Sequence, residues 1–204
     1  MKTATLKLYY TAGTRALRPR WLLEEMGLPY QLVPVDLFGG EGHSPEYHRI
    51  HPLGQVPALE VDGKVMIESG AICAWLTEYH PEYGLAPPLN SPLRLVYQQW
   101  MYFAVATLEP LWWEITLHTV LLPEASRSQA AVKLARHRIE PVLEVLDGAL
   151  VDTPYIVGDC FTAADIMLVM PLLSQLGLTR GHPVLQNYVE RMKKRPAYIR
   201  ASAD

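Results

Sequence analysis

Cysteine, phenylalanine and basic segments are all scarce in this chain. Its 204 residues include two Cys and three Phe, and 18 Lys and Arg against 21 Asp and Glu give a formal net charge of -3. Nucleic acid is therefore a poor candidate for the main partner, because phosphate neutralisation needs a clustered basic surface. No apolar run approaches the roughly 18 to 20 residues that a membrane span requires, so we expect no membrane partner either.

The two cysteines, Cys73 and Cys160, are too few for a disulfide framework and lack zinc-type spacing. Both lie in apolar, helix-like sequence, and we expect Cys73 to be a core residue. The histidines show no metal-ligand spacing, so no metal is predicted. The first residues lead into a strand pattern without the apolar stretch of a signal peptide. A reducing, cytoplasmic location is the natural expectation.

The chain does have enough apolar sequence for a sizeable core. Half of its residues (50%) are apolar and the mean hydropathy is +0.04, values of an ordinary soluble globule. Such a composition excludes a disordered chain. The length fits one large domain or two small ones.

Residues 1–84 alternate strand and helix patterns and predict a small α/β domain. The Asp62-Gly63 dipeptide between two β-type runs predicts a hairpin. Strands are expected at 6–10, 31–35, 56–61 and 65–67, and helices at 15–26 and 68–79. Pro19 would fall one turn into the first of these helices, so this helix is expected to start late or to be distorted.

The composition changes near residue 85. Residues 81–92 carry four prolines, a density that excludes regular structure and predicts a linker, placed at 85–92. Beyond it the pattern is helical throughout, so residues 93–204 are expected to form an all-α domain. The predicted helices are 93–121, 126–150, 163–176 and 184–195.

Four segments at the joints of this organisation resemble the cytosolic glutathione S-transferase superfamily, in its bacterial, serine/threonine-like form. They are YYTAGTRALRPRWLLEE (9–25), HPLGQVP (51–57), ESGAI (68–72) and GDCFTAAD (158–165). The segments occur in the family's order and spacing and span nearly the whole chain. The resemblance implies a thioredoxin-like N-terminal domain that binds glutathione, followed by an all-helical domain.

The resemblance also implies the glutathione contacts. Pro57 would be cis, and Val56 would pair its backbone with the cysteinyl part of glutathione. Glu68 and Ser69 would hold the γ-glutamyl end, because a helix N-terminus attracts a carboxylate and a side-chain carboxylate pairs with an ammonium. Gln55 is similar to the side chain that reaches the peptide from the neighbouring loop. Many relatives have lysine there, so His43, His51 or an arginine are further candidates for the glycyl carboxylate.

Two hydroxyls compete for the catalytic role of stabilising the glutathione thiolate. Thr14 lies where serine-type members place their donor, and Tyr9 resembles the position of tyrosine-type members. A strand sends adjacent side chains to opposite faces, so only one of Tyr9 and Tyr10 should reach the site. We rank Thr14 first, and backbone N–H groups around Arg15 are the third alternative. No Cys-x-x-Cys follows the first strand, which makes mixed-disulfide chemistry a poor fit.

The predicted function is that of a glutathione transferase with a role in detoxification. The thiolate would attack an electrophilic, largely apolar second substrate bound near Phe103 and Trp113, which share a helical stripe with Ala106 and Pro110. By resemblance a homodimer is expected. Peroxide reduction or isomerisation with glutathione at the same site, or a non-catalytic binding role, are the alternatives. Asp165, by contrast, is expected to start a buried helix and to be structural.

Overall fold

The first part of the chain forms one mixed four-stranded sheet. The computed structural model describes residues 5–174 and 177–203. The strands are β1 (Leu6–Tyr10), β2 (Gln31–Pro34), β3 (Ala58–Val61) and β4 (Lys64–Ile67), in the order β2-β1-β3-β4. β1 is parallel to β2 and antiparallel to β3, which in turn is antiparallel to β4. The β3–β4 hairpin turns at Asp62 and Gly63, both with positive φ, as the sequence predicted.

The α-helices between and directly after these strands are α1 (Leu17–Met26), α2 (Pro45–His48) and α3 (Ser69–Tyr79). α1 begins two residues later than the predicted 15–26. A turn precedes it, in which the N–H of Leu17 bonds to the Thr14 carbonyl at 3.2 Å. The late start confirms the expectation from Pro19. This proline now lies in the first turn of α1, where its missing N–H removes no hydrogen bond within the helix.

Elements from Leu93 onward are helical, so the predicted α/β domain followed by an all-α domain is confirmed. The predicted helix 93–121 is continuous but contains two π-helical segments, Ala104–Leu108 and Leu117–Leu121. Pro110 has no N–H for the helix, which accounts for a rearranged ladder just before it. The other helices in this part are α4 (Leu93–Phe103), α5 (Glu109–Thr116), α6 (Gln129–Ala149), α7 (Ala163–Ser174) and α8 (Pro183–Lys193). The predicted end of α7 at residues 175 and 176 lies outside the described residues.

The chain divides into two compact units that differ from the expected boundaries. One unit is Met1–Tyr83 together with Lys194–Asp204, and the other is Gly84–Lys193. Residues 194–204 were expected in the helical domain, but they carry a further helix, α9 (Pro196–Ala201), that packs on α1. Arg195 contacts Glu25 at 2.6 Å and Arg200 contacts Glu24 at 2.7 Å. A six-residue helix is too short to show a recognisable apolar period in the sequence. These two ion pairs hold it in its position.

The proline-rich residues 85–92 pack within the second unit. The Leu85 carbonyl accepts a hydrogen bond from the N–H of Ala163 at 2.9 Å. Nη1 of Arg94 donates to the Pro87 carbonyl at 3.1 Å. The segment was expected to be a linker, and these bonds attach it to the helices that follow.

The cores of the two units are apolar, and the two cysteines differ in placement. Cys73 is fully buried in α3, as expected, and burial raises the pKa of its thiol to about 12. Cys160 is exposed in the loop before α7, so the expectation of an apolar, helix-like environment for it was wrong. In the part of the chain that the structure describes, no helix combines the length and apolarity needed to cross a membrane.

Asp165 organises the start of α7 from inside the helical unit. One carboxylate oxygen accepts the N–H of Ile156 at 2.9 Å and the hydroxyl of Tyr188 at 2.7 Å. The other accepts the N–H of Thr162 at 2.8 Å and the Thr162 hydroxyl at 3.1 Å. The residue has no exposed surface. Asp165 therefore connects three segments around the buried helix, which agrees with its expected structural role.

Candidate functional site

The predicted glutathione-binding segments of the first unit meet at one edge of the sheet. Tyr9 pairs with Ala58 in the β1–β3 register, and Ala58 pairs with Ile67 in the β3–β4 register. The end of β1, the start of β3 and the end of β4 are thus neighbours. The loop that contains Thr14, the Val56-Pro57 dipeptide and the Glu68-Ser69 dipeptide each adjoin one of these ends. Strand register alone therefore brings the three segments together.

The first turn of α3 is left without an internal cap. Its N-cap residue is Glu68, with φ 72° and ψ 109°, and no side chain caps the helix. The N–H of Ile72 bonds to the Glu68 carbonyl at 2.9 Å. Among the described residues, no protein acceptor is found for the N–H groups of Ser69, Gly70 and Ala71. An uncapped N-terminus of an eleven-residue helix presents donors and a positive field to an anion.

Glu68 and Ser69 contribute to this helix start in different ways. Glu68 is exposed, and within the described chain its carboxylate has no cation in salt-bridge contact. Ser69 is 6% exposed and is the first helical residue rather than the N-cap. Its Oγ accepts a hydrogen bond from Nη1 of Arg18 at 3.1 Å. The carboxylate of Glu68 remains available to a ligand ammonium, and the hydroxyl hydrogen of Ser69 is not used by the Arg18 bond.

The Val56-Pro57 peptide bond is cis, as the resemblance implied. Val56 lies before the first residue of β3, and none of the described residues pairs with its backbone N–H or C=O. The loop leading to it is held by the Tyr47 hydroxyl, which donates to the Gln55 carbonyl at 2.8 Å. It is also held by a close backbone approach at Gly54, where a Cβ would collide with the Gly42 carbonyl oxygen. Only glycine fits there, and its φ of 63° also favours glycine.

The His51 imidazole belongs to the support of this loop. His51 is buried, and its Nδ1 accepts the N–H of Leu53 at 3.3 Å. Burial lowers the pKa of His51, and the charge of Glu68 only partly opposes this effect. A neutral ring that accepts at Nδ1 is thus favoured near pH 7. His51 consequently is a weaker candidate than the sequence indicated for pairing with the glycyl carboxylate.

Thr14 lies in the turn before α1 with its hydroxyl already engaged. Oγ1 donates to the Thr11 carbonyl at 2.6 Å and accepts the N–H of Ala16 at 3.3 Å. The side chain is half-buried. To donate to a thiolate, the hydroxyl hydrogen must leave the Thr11 carbonyl, a change that requires only rotation about the C–O bond.

The Tyr9 hydroxyl donates to Glu60 Oε2 at 3.0 Å. The ring contacts Tyr47 of α2, whereas the Tyr10 ring lies under the guanidinium of Arg20 of α1. The two tyrosines therefore occupy opposite faces of the sheet, as alternation requires. Burial, followed by the bond to Glu60, raises the pKa of Tyr9. Tyr9 would have to give up a charged acceptor in order to serve a thiolate.

Arg18 is the residue near this site that the sequence interpretation missed. Its side chain is fully buried although it belongs to the first turn of α1. The available signal was periodicity, since Arg18 begins the buried row that continues with Leu22 and Met26 at helical spacing. A charged residue at the head of an apolar row requires a buried partner, and Ser69 is one such partner.

The aromatic stripe of the second unit faces outward. Trp113 is 36% exposed, whereas Trp112 is 6% exposed, because neighbouring residues of a helix point about 100° apart. Phe103 is partly buried against Trp100, with ring centroids 5.0 Å apart. Ala106 and Pro110 line a cavity of about 740 Å³ together with residues of α6, but Phe103 and Trp113 do not. Of the four residues of the stripe, Ala106 and Pro110 thus line the cavity, whereas Phe103 and Trp113 lie outside its lining.

Residues 5–174 and 177–203 include no group of three His, Cys, Asp or Glu side chains arranged to hold a metal ion. The chemistry that the described residues offer at the edge of the sheet is anion binding by N–H and O–H donors, together with one exposed carboxylate.

Comparisons with known proteins match both parts of the chain to one family. Residues 4–78 match the family "Glutathione S-transferase, N-terminal domain", and residues 111–196 match "Glutathione S-transferase, C-terminal domain". Glutathione S-transferase 3 of Zea mays is 28% identical over 98% of this chain and 94% of its own length.

Two solved structures show the likeness in three dimensions. A glutathione transferase from Methylococcus capsulatus has a TM-score of 0.86 at 29% identity, covering 97% of both chains. A sphingomonad glutathione S-transferase complexed with glutathione has a TM-score of 0.83 at 26% identity, covering 96% of both chains. The chain is an enzyme of the cytosolic glutathione S-transferase superfamily.

Proposed function

We propose that this enzyme binds glutathione at the edge of the sheet in its first unit and stabilises the thiolate there for attack on an electrophilic, largely apolar second substrate. The observation that carries the proposal is the first turn of α3, which the protein leaves uncapped beside an exposed Glu68. The solved sphingomonad relative is itself a complex with glutathione.

The γ-glutamyl end of glutathione fits this helix start. Its α-carboxylate would accept hydrogen bonds from the hydroxyl of Ser69 and from N–H groups of the first turn. Its ammonium would pair with the Glu68 carboxylate. A ligand group that carries both charges on one carbon matches an N–H cluster and a carboxylate on consecutive residues.

The cysteinyl part would extend along Val56. A backbone N–H and C=O without protein partners can add one strand-like pair to a peptide. Gln55, next to Val56, would reach the glycyl end with its amide. Because burial favours the neutral form of His51, we assign the glycyl carboxylate to Gln55 in preference to His51.

Thiolate stabilisation is the catalytic part of the proposal. A free thiol with a pKa near 8.5 is only about 3% ionised at pH 7. Lowering this pKa by about two units requires about 2.7 kcal/mol of preferential anion stabilisation. A hydroxyl donor together with nearby backbone N–H groups is a source of that size. We assign the hydroxyl to Thr14, because rotation frees its hydrogen, whereas Tyr9 is held by Glu60.

The helical unit would supply the second-substrate site. Trp113 is an exposed large aromatic, and Phe103 lies on the same stripe. We propose these two side chains as apolar contacts for the electrophile.

We also propose a homodimer, a cytoplasmic location and a role in detoxification. Light scattering should give twice the 23.0 kDa chain mass, and a single chain mass at micromolar protein would reject the dimer.

The proposed function is tested by calorimetry followed by a panel of substrates. Chelator-treated protein should bind reduced glutathione, because the groups assigned to the site are organic donors and not a metal. It should then conjugate glutathione to an aryl halide faster than it reduces a hydroperoxide. No heat at millimolar glutathione would reject the binding site. Binding with hydroperoxide reduction alone would favour the peroxidase alternative, and binding without any turnover would favour the non-catalytic one.

A further inference from the structure

We infer that Arg18 is a positioning residue of the glutathione site, which orients the Ser69 hydroxyl toward the γ-glutamyl carboxylate and adds a fixed positive charge behind it. The inference rests on the proposed function and assigns a task to a buried cation that the proposal does not otherwise use. Arg18 is expected to affect the binding of the γ-glutamyl carboxylate and not that of the thiol or of the glycyl end.

The geometry assigns the direction of the Ser69 hydroxyl. Nη1 of Arg18 donates to Ser69 Oγ at 3.1 Å, and an arginine nitrogen cannot accept a hydrogen bond. The hydroxyl must therefore act as the acceptor in this pair. Its single hydrogen is left to point away from Arg18, and the uncapped first turn of α3 begins at the same residue. Arg18 thus makes Ser69 a donor at the place where an anion would bind.

The charge of Arg18 acts in the same sense. A guanidinium stays protonated in proteins, and this one has no exposed surface. Its field is felt within α3, because the positive charge of Arg18 counteracts the burial that raises the pKa of Cys73. A carboxylate at the start of α3 would be attracted by this charge through protein rather than through water, and such an interaction is weakly screened by salt.

Arg20 provides the comparison within the same helix. It is also buried, at 7% exposure, but its guanidinium lies 4.6 Å from the Tyr10 ring centroid. Its charge lowers the pKa of Glu24 and opposes the rise in the pKa of Tyr30. Two buried arginines two positions apart thus contact different groups, Arg18 the Ser69 hydroxyl and Arg20 the Tyr10 ring.

The test uses two ligands that differ only at the γ-glutamyl end. S-hexylglutathione carries the γ-glutamyl group, and N-acetyl-S-hexylcysteinylglycine replaces it with acetyl while keeping the amide. Affinities of both are measured by calorimetry for the unaltered enzyme and for Arg18→Gln, Arg18→Lys and Arg20→Gln. Thermal unfolding of each variant checks that it is folded.

Arg18→Gln should weaken S-hexylglutathione at least 10-fold and the acetyl ligand less than twofold. Arg18→Lys, which keeps the charge, should recover part of this loss, and Arg20→Gln should treat the two ligands alike. In turnover, Arg18→Gln should raise KM for glutathione and leave kcat within about twofold. Equal losses for both ligands would overturn the inference, because a merely structural arginine would affect both.

A second comparison applies if Arg18→Gln does not fold. Arg18→Lys is then measured with and without Ser69→Ala. If Arg18 acts through Ser69, the effect of Arg18→Lys on S-hexylglutathione should shrink to less than half in the Ser69→Ala background. Full additivity of the two substitutions would overturn the inference. Failure of the unaltered enzyme to bind glutathione at all would instead reject the proposed function on which the inference rests.

Discussion

The starts of α3 and α7 meet the same physical requirement in opposite ways. Both helices begin with N–H groups that lack partners within the helix. At α7 the protein supplies the partners itself: Asp165 accepts from Thr162 and Ile156, and the Leu85 carbonyl accepts from Ala163. At α3 no side chain caps the helix, and the N-cap residue is held at a positive φ. The start of α7 is thus sealed and buried, whereas the start of α3 is left open.

This difference separates structure from function within one chain. A carboxylate that is hydrogen-bonded inside the protein, as at Asp165, stabilises the fold. A carboxylate left exposed beside an uncapped helix, as at Glu68, is available to a ligand. We therefore expect substitutions at α7 to lower stability and substitutions at α3 to lower glutathione affinity.

The largest expected effect is on folding, at α7. Asp165→Ala removes four hydrogen bonds to a buried carboxylate and leaves buried donors unpaired. It should lower the free energy of unfolding by about 3 to 5 kcal/mol, measured by urea denaturation. Asp165→Asn is the matched control and should cost less, since it keeps one acceptor oxygen. A loss below about 0.5 kcal/mol for Asp165→Ala would contradict the structural role.

The next effect is on the thiol, at the turn before α1. Thr14→Ala should remove one hydrogen bond to a charged acceptor, about 1.5 to 3 kcal/mol or roughly 10- to 150-fold in thiolate stabilisation. The pKa of the bound thiol, followed by thiolate absorbance, should rise by about 1 to 2 units. Tyr9→Phe should leave it unchanged, because the Tyr9 hydroxyl donates to Glu60.

Other outcomes of that titration have definite meanings. A shift with Tyr9→Phe and none with Thr14→Ala would reverse the ranking and make this a tyrosine-type site. No shift in either variant would assign the thiolate to the backbone N–H groups around Arg15, the third alternative.

A smaller effect is expected for substitution of Glu68 at the start of α3, where stability should rise while glutathione affinity falls. Glu68 is one of two described non-glycine residues with positive φ, at 72°. Glu68→Gly should stabilise the fold by about 1 kcal/mol, because glycine adopts this conformation without strain. The same variant should weaken glutathione binding by losing the carboxylate. Glu68→Gln keeps the strain and should weaken binding without raising stability; unchanged affinity in both variants would show that the carboxylate does not contact the ligand.

The smallest effect concerns pH and the surface of the sheet. Hydrogen bonds from Lys7 and then Tyr9 lower the pKa of Glu60 below its ordinary value of 4.5. A lowered carboxyl pKa contributes stability that is present above the unfolded value and is lost as pH falls through the folded one. Glu60→Gln should therefore flatten the decline of stability below about pH 5, by less than about 1 kcal/mol. Stability is measured by urea denaturation between pH 3 and 7. If the stability of Glu60→Gln falls as steeply as that of the unaltered enzyme, the lowered pKa of Glu60 does not contribute to it.

Much of the fold and of the α3 segment could be predicted from the sequence because local patterns determine them. The Asp62-Gly63 hairpin, the late start of α1 and the cis bond before Pro57 all follow from short motifs or from the family resemblance. The placement of residues 194–204 and the task of Arg18 could not be predicted. Both depend on contacts between residues far apart in the chain, such as Arg195 with Glu25 and Arg18 with Ser69, which no local period encodes.

The most direct test of the comparison follows backbone amide signals by NMR while reduced glutathione is added. The amide signals of Ser69, Gly70, Ala71 and Val56 should shift, because these groups gain hydrogen-bond acceptors. Those of Ile156 and Thr162, already bonded to Asp165, should not shift. Saturation with glutathione that moves other amides but leaves Ser69, Gly70 and Ala71 unchanged would contradict the claim that the open start of α3 is the anion site.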